Sequence, residues 1–168
     1  YTRDVADYLA KLKFEDLPED VVDMAKRVVL DFIGYSIVAI KEEPALILYE
    51  TVKELGGREE STIIGFGYKT TSMNAALVNG ALGHMCELDD THLGSQAHIG
   101  DSVIPTALAV AEREGSDGQA FIAALTAGYE IANRVGKSVM PTHYFKGWHP
   151  TGTFNTFGTA VAAGKLLD

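Results

Sequence analysis

The sequence predicts a mainly α fold: a multi-helix domain with at most one or two short strands. Apolar residues recur at helical spacing along most of the chain, and Pro, Gly, hydroxyl and acidic residues fall where helices start and stop. Only Ser61 to Phe66, carrying Ile63 and Ile64 between Gly-rich turns, reads as a convincing strand.

Taken in order, Thr2 to Lys13 places Val5, Tyr8, Leu9 and Leu12 on one helical face. Pro18, followed by Glu19 and Asp20, suits the first turn of a second helix, where a missing N–H is harmless and acids favour the dipole. Its wide apolar face runs through Val22, Ala25, Val29, Phe32 and Ile33. Pro44 opens a third helix, which stops at Gly56-Gly57. Thr71 or Ser72 caps a fourth, whose face runs Met73, Leu77, Gly80, His84, Leu88. After a loop from Asp89 to Gly100, Asp101 is expected to cap a helix with Pro105 in its first turn. Ser116 and Gln119 read as a capping box for a long helix through Phe121, Leu125, Gly128, Ala132 and Val139. Thr142 to Gly152 reads as a loop, and a last helix carries Phe154, Phe157, Val161 and Leu167.

The 168 residues fit one domain, and a hydrophobic fraction of 46% with 22% charged residues is enough for a real core. No internal repeat or linker divides the chain. A single cysteine, Cys86, excludes an internal disulfide and favours a reducing compartment; a cytoplasmic location is expected. The longest apolar stretch, Val28 to Ile40, is short and carries Asp31, so no membrane span is expected. A formal net charge of −9 without a basic stripe argues against nucleic acid. An anionic ligand would need a locally positive site. The chain opens on Tyr1 and stops at Asp168 after an apolar helical segment without a C-cap signal, so a longer native chain is expected.

All five histidines lie in two polar stretches, 84–98 and 143–153. In the second, His149 precedes Pro150 and is pushed toward extended backbone. A helix N-terminus follows, where Thr151, Gly152 and Thr153 would present N–H groups and the positive dipole end, with Lys146 adding charge and Gly152 allowing close approach of a carboxylate. The competing reading is an ordinary helix cap with Lys146 in solvent, and spacing alone leans that way. In the first stretch, Asp89, Asp90, His92 and His98 suit either a divalent cation or proton transfer by a histidine among carboxylates. No zinc-type spacing is present, and no metal is assigned. His84, on the apolar face of its helix, reads as a satisfied core histidine, and Asp89 and Asp90 as residues that end a helix and shape a turn. His92 and His143 read as surface or supporting residues. Cys86, Phe145 and Trp148 read as packing.

The run Asn74-Ala75-Ala76-Leu77-Val78-Asn79-Gly80-Ala81-Leu82-Gly83-His84, then Glu87-Leu88-Asp89-Asp90-Thr91-His92, resembles the MmgE/PrpD signature. So do Ile104 to Glu112, Ala127-Gly128-Tyr129-Glu130-Ile131 with Arg134, and Gly147-Trp148-His149-Pro150-Thr151-Gly152, in the same order along nearly the whole chain. The resemblance implies the front part of a helical domain covering 1–168, with a smaller α+β lid domain beyond it. It implies a homodimer that needs no metal or organic cofactor, completed by the rest of its chain or a second subunit. The implied activity is that of a lyase on a small polycarboxylate, 2-methylcitrate dehydratase-like, with cis-aconitate decarboxylase and iminodisuccinate epimerase as the alternatives. Carried over by position, the active-site histidines fall on His98 and His149, an acidic position on Glu87, a threonine on Thr91, and Asp90 belongs to the same string. The loop before His98 is a residue longer than in the decarboxylases.

On this basis His98 and His149 are expected to transfer protons at a carbon next to a carboxylate. Glu87 or Asp90 would orient a histidine. Thr91 would bind substrate, and Lys146 with Thr151 and Gly152 would hold its carboxylate. Two readings from other classes stand beside it: a non-catalytic helical interaction module, and a metal-dependent hydrolase built on Asp89, Asp90 and His92.

Overall fold

The computed structural model describes residues 1–167. It is mainly α, with eight α-helices and one two-stranded antiparallel sheet among the described residues. In chain order these are α1 (Thr2–Lys11), a 3₁₀ turn (Phe14–Asp16), α2 (Glu19–Ala39), α3 (Glu43–Leu55), β1 (Ser61–Ile63), β2 (Tyr68–Thr70), α4 (Ser72–His84), α5 (Gly100–Glu114), α6 (Gly118–Val139), α7 (Thr142–Phe145) and α8 (Pro150–Leu167). No helix among them is long and apolar enough to cross a membrane.

Several boundaries differ from the sequence expectation, each for a local reason. α1 stops at Lys11 because Asp16 Oδ2 accepts the Lys13 N–H at 2.9 Å and starts the 3₁₀ turn. The expected strand breaks after Ile63, where Gly65 and Gly67 at positive φ turn the chain into β2, three residues too short to show alternation. Asp117, not Ser116, caps α6, its Oδ1 accepting the N–H groups of Gln119 and Ala120. Thr71 caps α4 as expected, accepting from the Asn74 N–H. α5 begins at Gly100 after Ile99, so Asp101 lies inside the first turn and does not cap it. Pro105 then falls beyond the first turn and leaves the Asp101 carbonyl without its helical donor. The expected loop after Met140 folds in part as α7, and α8 starts directly at Pro150.

α5 lies at the centre, packed on α4 to one side and on α8 and α6 to the other, with α2 against α4, α5 and α6. The main core joins Phe32 and Tyr35 of α2, Val103, Ile104 and Ala107 of α5, Ala124, Leu125 and Ala132 of α6, and Phe154, Ala162 and Leu166 of α8. A second cluster packs Ala39, Ala45, Val52, Ile63, Val78 and Leu82, with Cys86 against its edge as the sequence suggested. Phe145 and Trp148, expected in a core, are instead 80% and 60% exposed, because the 145–149 segment runs over the surface to the start of α8.

The small residues of α6 and α8 permit close approach. A Cβ at Gly128 would sit 2.9 Å from the Gly158 carbonyl oxygen and 2.7 Å from Val103 Cγ1, and one at Gly158 would sit 2.8 Å from the Gly128 oxygen. Gly128→Ala is therefore expected to force the helices apart and cost roughly 1–3 kcal/mol. Gly164→Ala, where an added Cβ meets nothing, is expected to gain about 0.5–1 kcal/mol. Thermal unfolding followed by circular dichroism should move the two melting temperatures in opposite directions.

Candidate active site

The loop from Met85 to Ile99 folds back on itself, with His92 bridged to Ala97 and the Ser95 N–H donating to His92 Nδ1. Three ties fix it to the helices. Ser95 Oγ donates to Asn133 Oδ1 of α6 at 2.9 Å. Asp90 Oδ1 accepts the Gly100 N–H at 2.9 Å, while its Oδ2 accepts the Tyr129 hydroxyl at 3.1 Å, joining the loop to α5 and α6. Both backbone groups of His98 are held by α8: the N–H donates to Thr151 Oγ1 at 3.0 Å and the carbonyl accepts from Asn155 Nδ2 at 2.6 Å. Residue 98 is thereby seated on the first turns of the helix that follows His149, so the two histidine segments adjoin.

At the centre of the loop is Asp89, which the sequence offered as a cation or proton-transfer candidate in one reading and as a turn residue in the other. Asp89 has a fully buried side chain, and its Oδ2 lies 2.8 Å from His84 Nδ1 and 3.3 Å from His98 Nδ1. His98 Nδ1 is also 3.1 Å from Thr91 Oγ1, and the two imidazoles are 5.2 Å apart. A carboxylate only accepts, so the His84 nitrogen bonded to it carries the hydrogen, and the same charge 3.3 Å from His98 Nδ1 favours the hydrogen there, with the Thr91 hydroxyl accepting. Neutral His98 then exposes a bare Nε2, the form suited to a base. His149 is arranged the opposite way. Its Nδ1 accepts the Gly152 N–H at 3.2 Å, which puts the hydrogen of the neutral ring on Nε2, the form that can donate a hydrogen bond from that atom. His84, Asp89 and His98 bring one metal-binding atom each within 4.8 Å of one another. A cation bound there would displace the protons that these Nδ1 atoms otherwise turn toward Asp89.

The other expected site residues take varied places. Glu87 is exposed at positive φ, with Oε1 3.6 Å from His84 Nε2, so it faces His84 and not His98. Asp90 has both oxygens engaged and anchors the loop. Thr151 is buried, and its hydroxyl is taken up by the His98 N–H, so it positions that residue. The Gly152 N–H, expected to be open to a ligand, is covered by His149. Thr91 and Lys146 are exposed. His143, expected to play a supporting part, does so: Nε2 meets Thr153 Oγ1 at 2.8 Å and the ring packs on Phe154. His84 lies at the rim of a groove of about 890 Å³ between α4, α5 and α8, beside Asp101. It is a member of the site and not the core residue its helical face suggested. The spacing His84 to Asp89 crosses a helix end, so no periodic signal marked it.

Charge is concentrated here. Burial pushes Asp101 up to about 6, helped by Asp89 and opposed by its bond from Ser102. Burial likewise raises Asp90, against the Gly100 and Tyr129 bonds. Burial alone would lower His84, but the Asp89 hydrogen bond and the charges of Asp89, Asp101 and Glu87 outweigh it and the net shift is upward. Tyr35 and Tyr129 are pushed up by burial and by the carboxylates around them.

These shifts fix a direction of pH dependence. Folded Asp101 keeps its proton from its ordinary 3.8 up to about 6, so folding takes up a proton there and stability falls as pH rises through that window. The His84 contribution is complete below its ordinary 6.5 and is lost as pH rises through its raised folded value. Both weaken the fold on the alkaline side. Asp101→Asn removes the buried ion and keeps the carbonyl that accepts from Ser102 and Asn155. It should stabilise the protein by on the order of 1–3 kcal/mol at pH 7.5 and by little at pH 4, read as the melting-temperature difference from wild type.

The MmgE/PrpD N-terminal domain model matches residues 3–168. Curated relatives include a cis-aconitate decarboxylase-like protein, oryM, of Aspergillus oryzae, 27% identical over 99% of this chain and 36% of its own length. The cis-aconitate decarboxylases of Aspergillus terreus and Homo sapiens are each 27% identical over 99% of this chain and over 35% and 36% of theirs. The chain thus spans about a third of the length of the curated relatives it matches. With a mainly helical fold and the signature residues gathered around one loop, the chain belongs to the MmgE/PrpD family and carries its N-terminal domain.

Proposed function

We propose that this chain is the helical front part of a cofactor-free lyase that acts on a small polycarboxylate by moving a proton at a carbon next to a carboxylate. The observation that carries the reading is the complementary pair of histidines on adjoining segments. His98 has its Nδ1 turned to Asp89 and Thr91, which frees Nε2 to accept a proton. His149 has its Nδ1 on the Gly152 N–H, which leaves Nε2–H to donate a hydrogen bond. A base and a hydrogen-bond donor so prepared suit dehydration: His98 takes the proton from carbon, His149 holds the departing hydroxyl, and the proton His98 gained leaves with that hydroxyl as water. The start of α8 and the exposed Lys146 supply the positive surroundings that a substrate carboxylate and its developing enediolate-like charge require. Residues 1–168 act as one helical domain, completed by a lid domain and a dimer partner.

A second reading is decarboxylation, favoured by the names of the relatives. Loss of CO₂ leaves a similar carbanion and needs only a proton donor at the end, so His149 in its imidazolium form would dominate and His98 would hold the substrate.

The test is turnover by the full-length protein with 2-methylcitrate and with cis-aconitate, following alkene formation and CO₂ release separately. His149→Ala is expected to lower turnover by about 10²–10⁴-fold with the fold intact on either reading, and His98→Ala to do so for dehydration. Near-normal turnover in His149→Ala would remove that residue from the mechanism. Failure to act on either acid would remove the polycarboxylate reading.

A further inference from the structure

We propose that Asp89 is the positioning carboxylate of this site and that one of its oxygens is shared by two competing imidazoles, so that the protonation of His84 sets how strong a base His98 is. The inference rests on reading His98 as the base, and it assigns a part to His84 and Asp89, which were not among the expected site residues.

The geometry is that of one charge and two claimants. The Asp89 side chain is fully buried, and its Oδ1 has no hydrogen-bond partner among the described residues. Its Oδ2 therefore carries the whole burden of compensation. A buried carboxylate left without a cation is costly, so a proton on a neighbouring imidazole is strongly favoured. His84 has the closer contact, 2.8 Å against 3.3 Å for His98. It also has two further carboxylates at hand, Asp101 Oδ2 at 3.8 Å and Glu87 Oε1 at 3.6 Å, while His98 has the neutral Thr91 hydroxyl. The first proton thus settles on His84. With His84 charged, Asp89 is neutralised and His98 is a weak base. With His84 neutral, the field of Asp89 falls on His98 and strengthens it.

The groups around the cluster can be named by element. α2 contributes Tyr35, α5 contributes Asp101, and α6 reaches it through Tyr129 on Asp90. The loop adds Glu87, Asp90 and Thr91, and α8 presents the uncharged Thr151 and Asn155. His84 opens onto the α4/α5/α8 groove, so solvent protons, or an anion lying in that groove, reach His84 and through it His98.

The experiment uses full-length protein labelled with ¹⁵N in its histidines. Ring nitrogen shifts followed against pH report each tautomer and each protonation midpoint without any need for activity. Wild-type His84 and His98 are expected to carry the neutral-form hydrogen on Nδ1. His84→Asn, which keeps a neutral donor beside Asp89, should raise the His98 midpoint by about one pH unit, an opposite charge at such range being worth one to three. The acid limb of kcat/KM should move with it. Asp89→Asn should lower the His98 midpoint, and in that background adding His84→Asn should change it little. An Nε2-protonated His98 in the wild type would overturn the proposal. So would an unmoved midpoint in His84→Asn, or an equal shift with and without Asp89. The two readings separate cleanly. Normal turnover in His98→Ala alongside the expected shifts would sink the catalytic role and leave the shared carboxylate standing, whereas absent shifts with a strongly impaired His98→Ala would sink the shared carboxylate alone.

Discussion

The arrangement depends on a pair of hydrogen bonds that are easy to overlook. Thr151 and Asn155 project from the first turns of α8 and hold the N–H and the carbonyl of His98, the two groups that a loop residue would otherwise leave to water. That clamp decides where the long connection between α4 and α5 can lie. Once residue 98 is seated on α8, the loop must cross above the start of α5, and Asp90 is brought within reach of the Gly100 N–H and the Tyr129 hydroxyl. Asp89, its neighbour in sequence, points the other way into the space between His84 and His98. A single loop thus collects groups from α4, α5, α6 and α8 around one buried carboxylate.

Close helix packing makes the clamp possible. Gly128 and Gly158 let α6 and α8 approach until backbone nearly meets side chain, and Val103 of α5 fills the space between them. Gly83 and Gly80 do the same for α4 against Phe32 and the Asp101 region. Any of these positions enlarged by a methyl group would shift a helix that carries a member of the site. The polar centre is accordingly supported by an unusually lean core, and its precision follows from interhelical distance more than from the loop itself.

Electrostatics then divide the labour. The carboxylates of Asp89, Asp90 and Asp101 stand near two imidazoles, in a protein whose overall balance is already acidic. Such a centre favours a proton on His84. The positive elements, the dipole of α8 and Lys146, lie on the adjoining segment with His149. The candidate site is therefore two-sided: an acidic, buried half around Asp89, and an exposed half that carries Lys146 and the start of α8.

Much of this was legible in the chain alone. Apolar periodicity and helix punctuation located the helices, since a buried stripe and a cap are local demands that one segment states by itself. Clustering of the histidines marked both functional stretches, and the order of the motifs placed the chain in its family. Other features lay beyond local reading. β2 is too short for alternation, Asp117 outcompeted Ser116 as a cap by geometry, and Phe145 and Trp148 have a core residue's chemistry on a surface segment. Above all, His84 looked like core and Asp89 like a turn residue, because their roles arise only when α4, the loop and α8 converge. Spacing along a helix reports which face a residue shares with its neighbours; which distant oxygen will stand 2.8 Å from its ring is set by how the helices pack, and only the tertiary structure decides that.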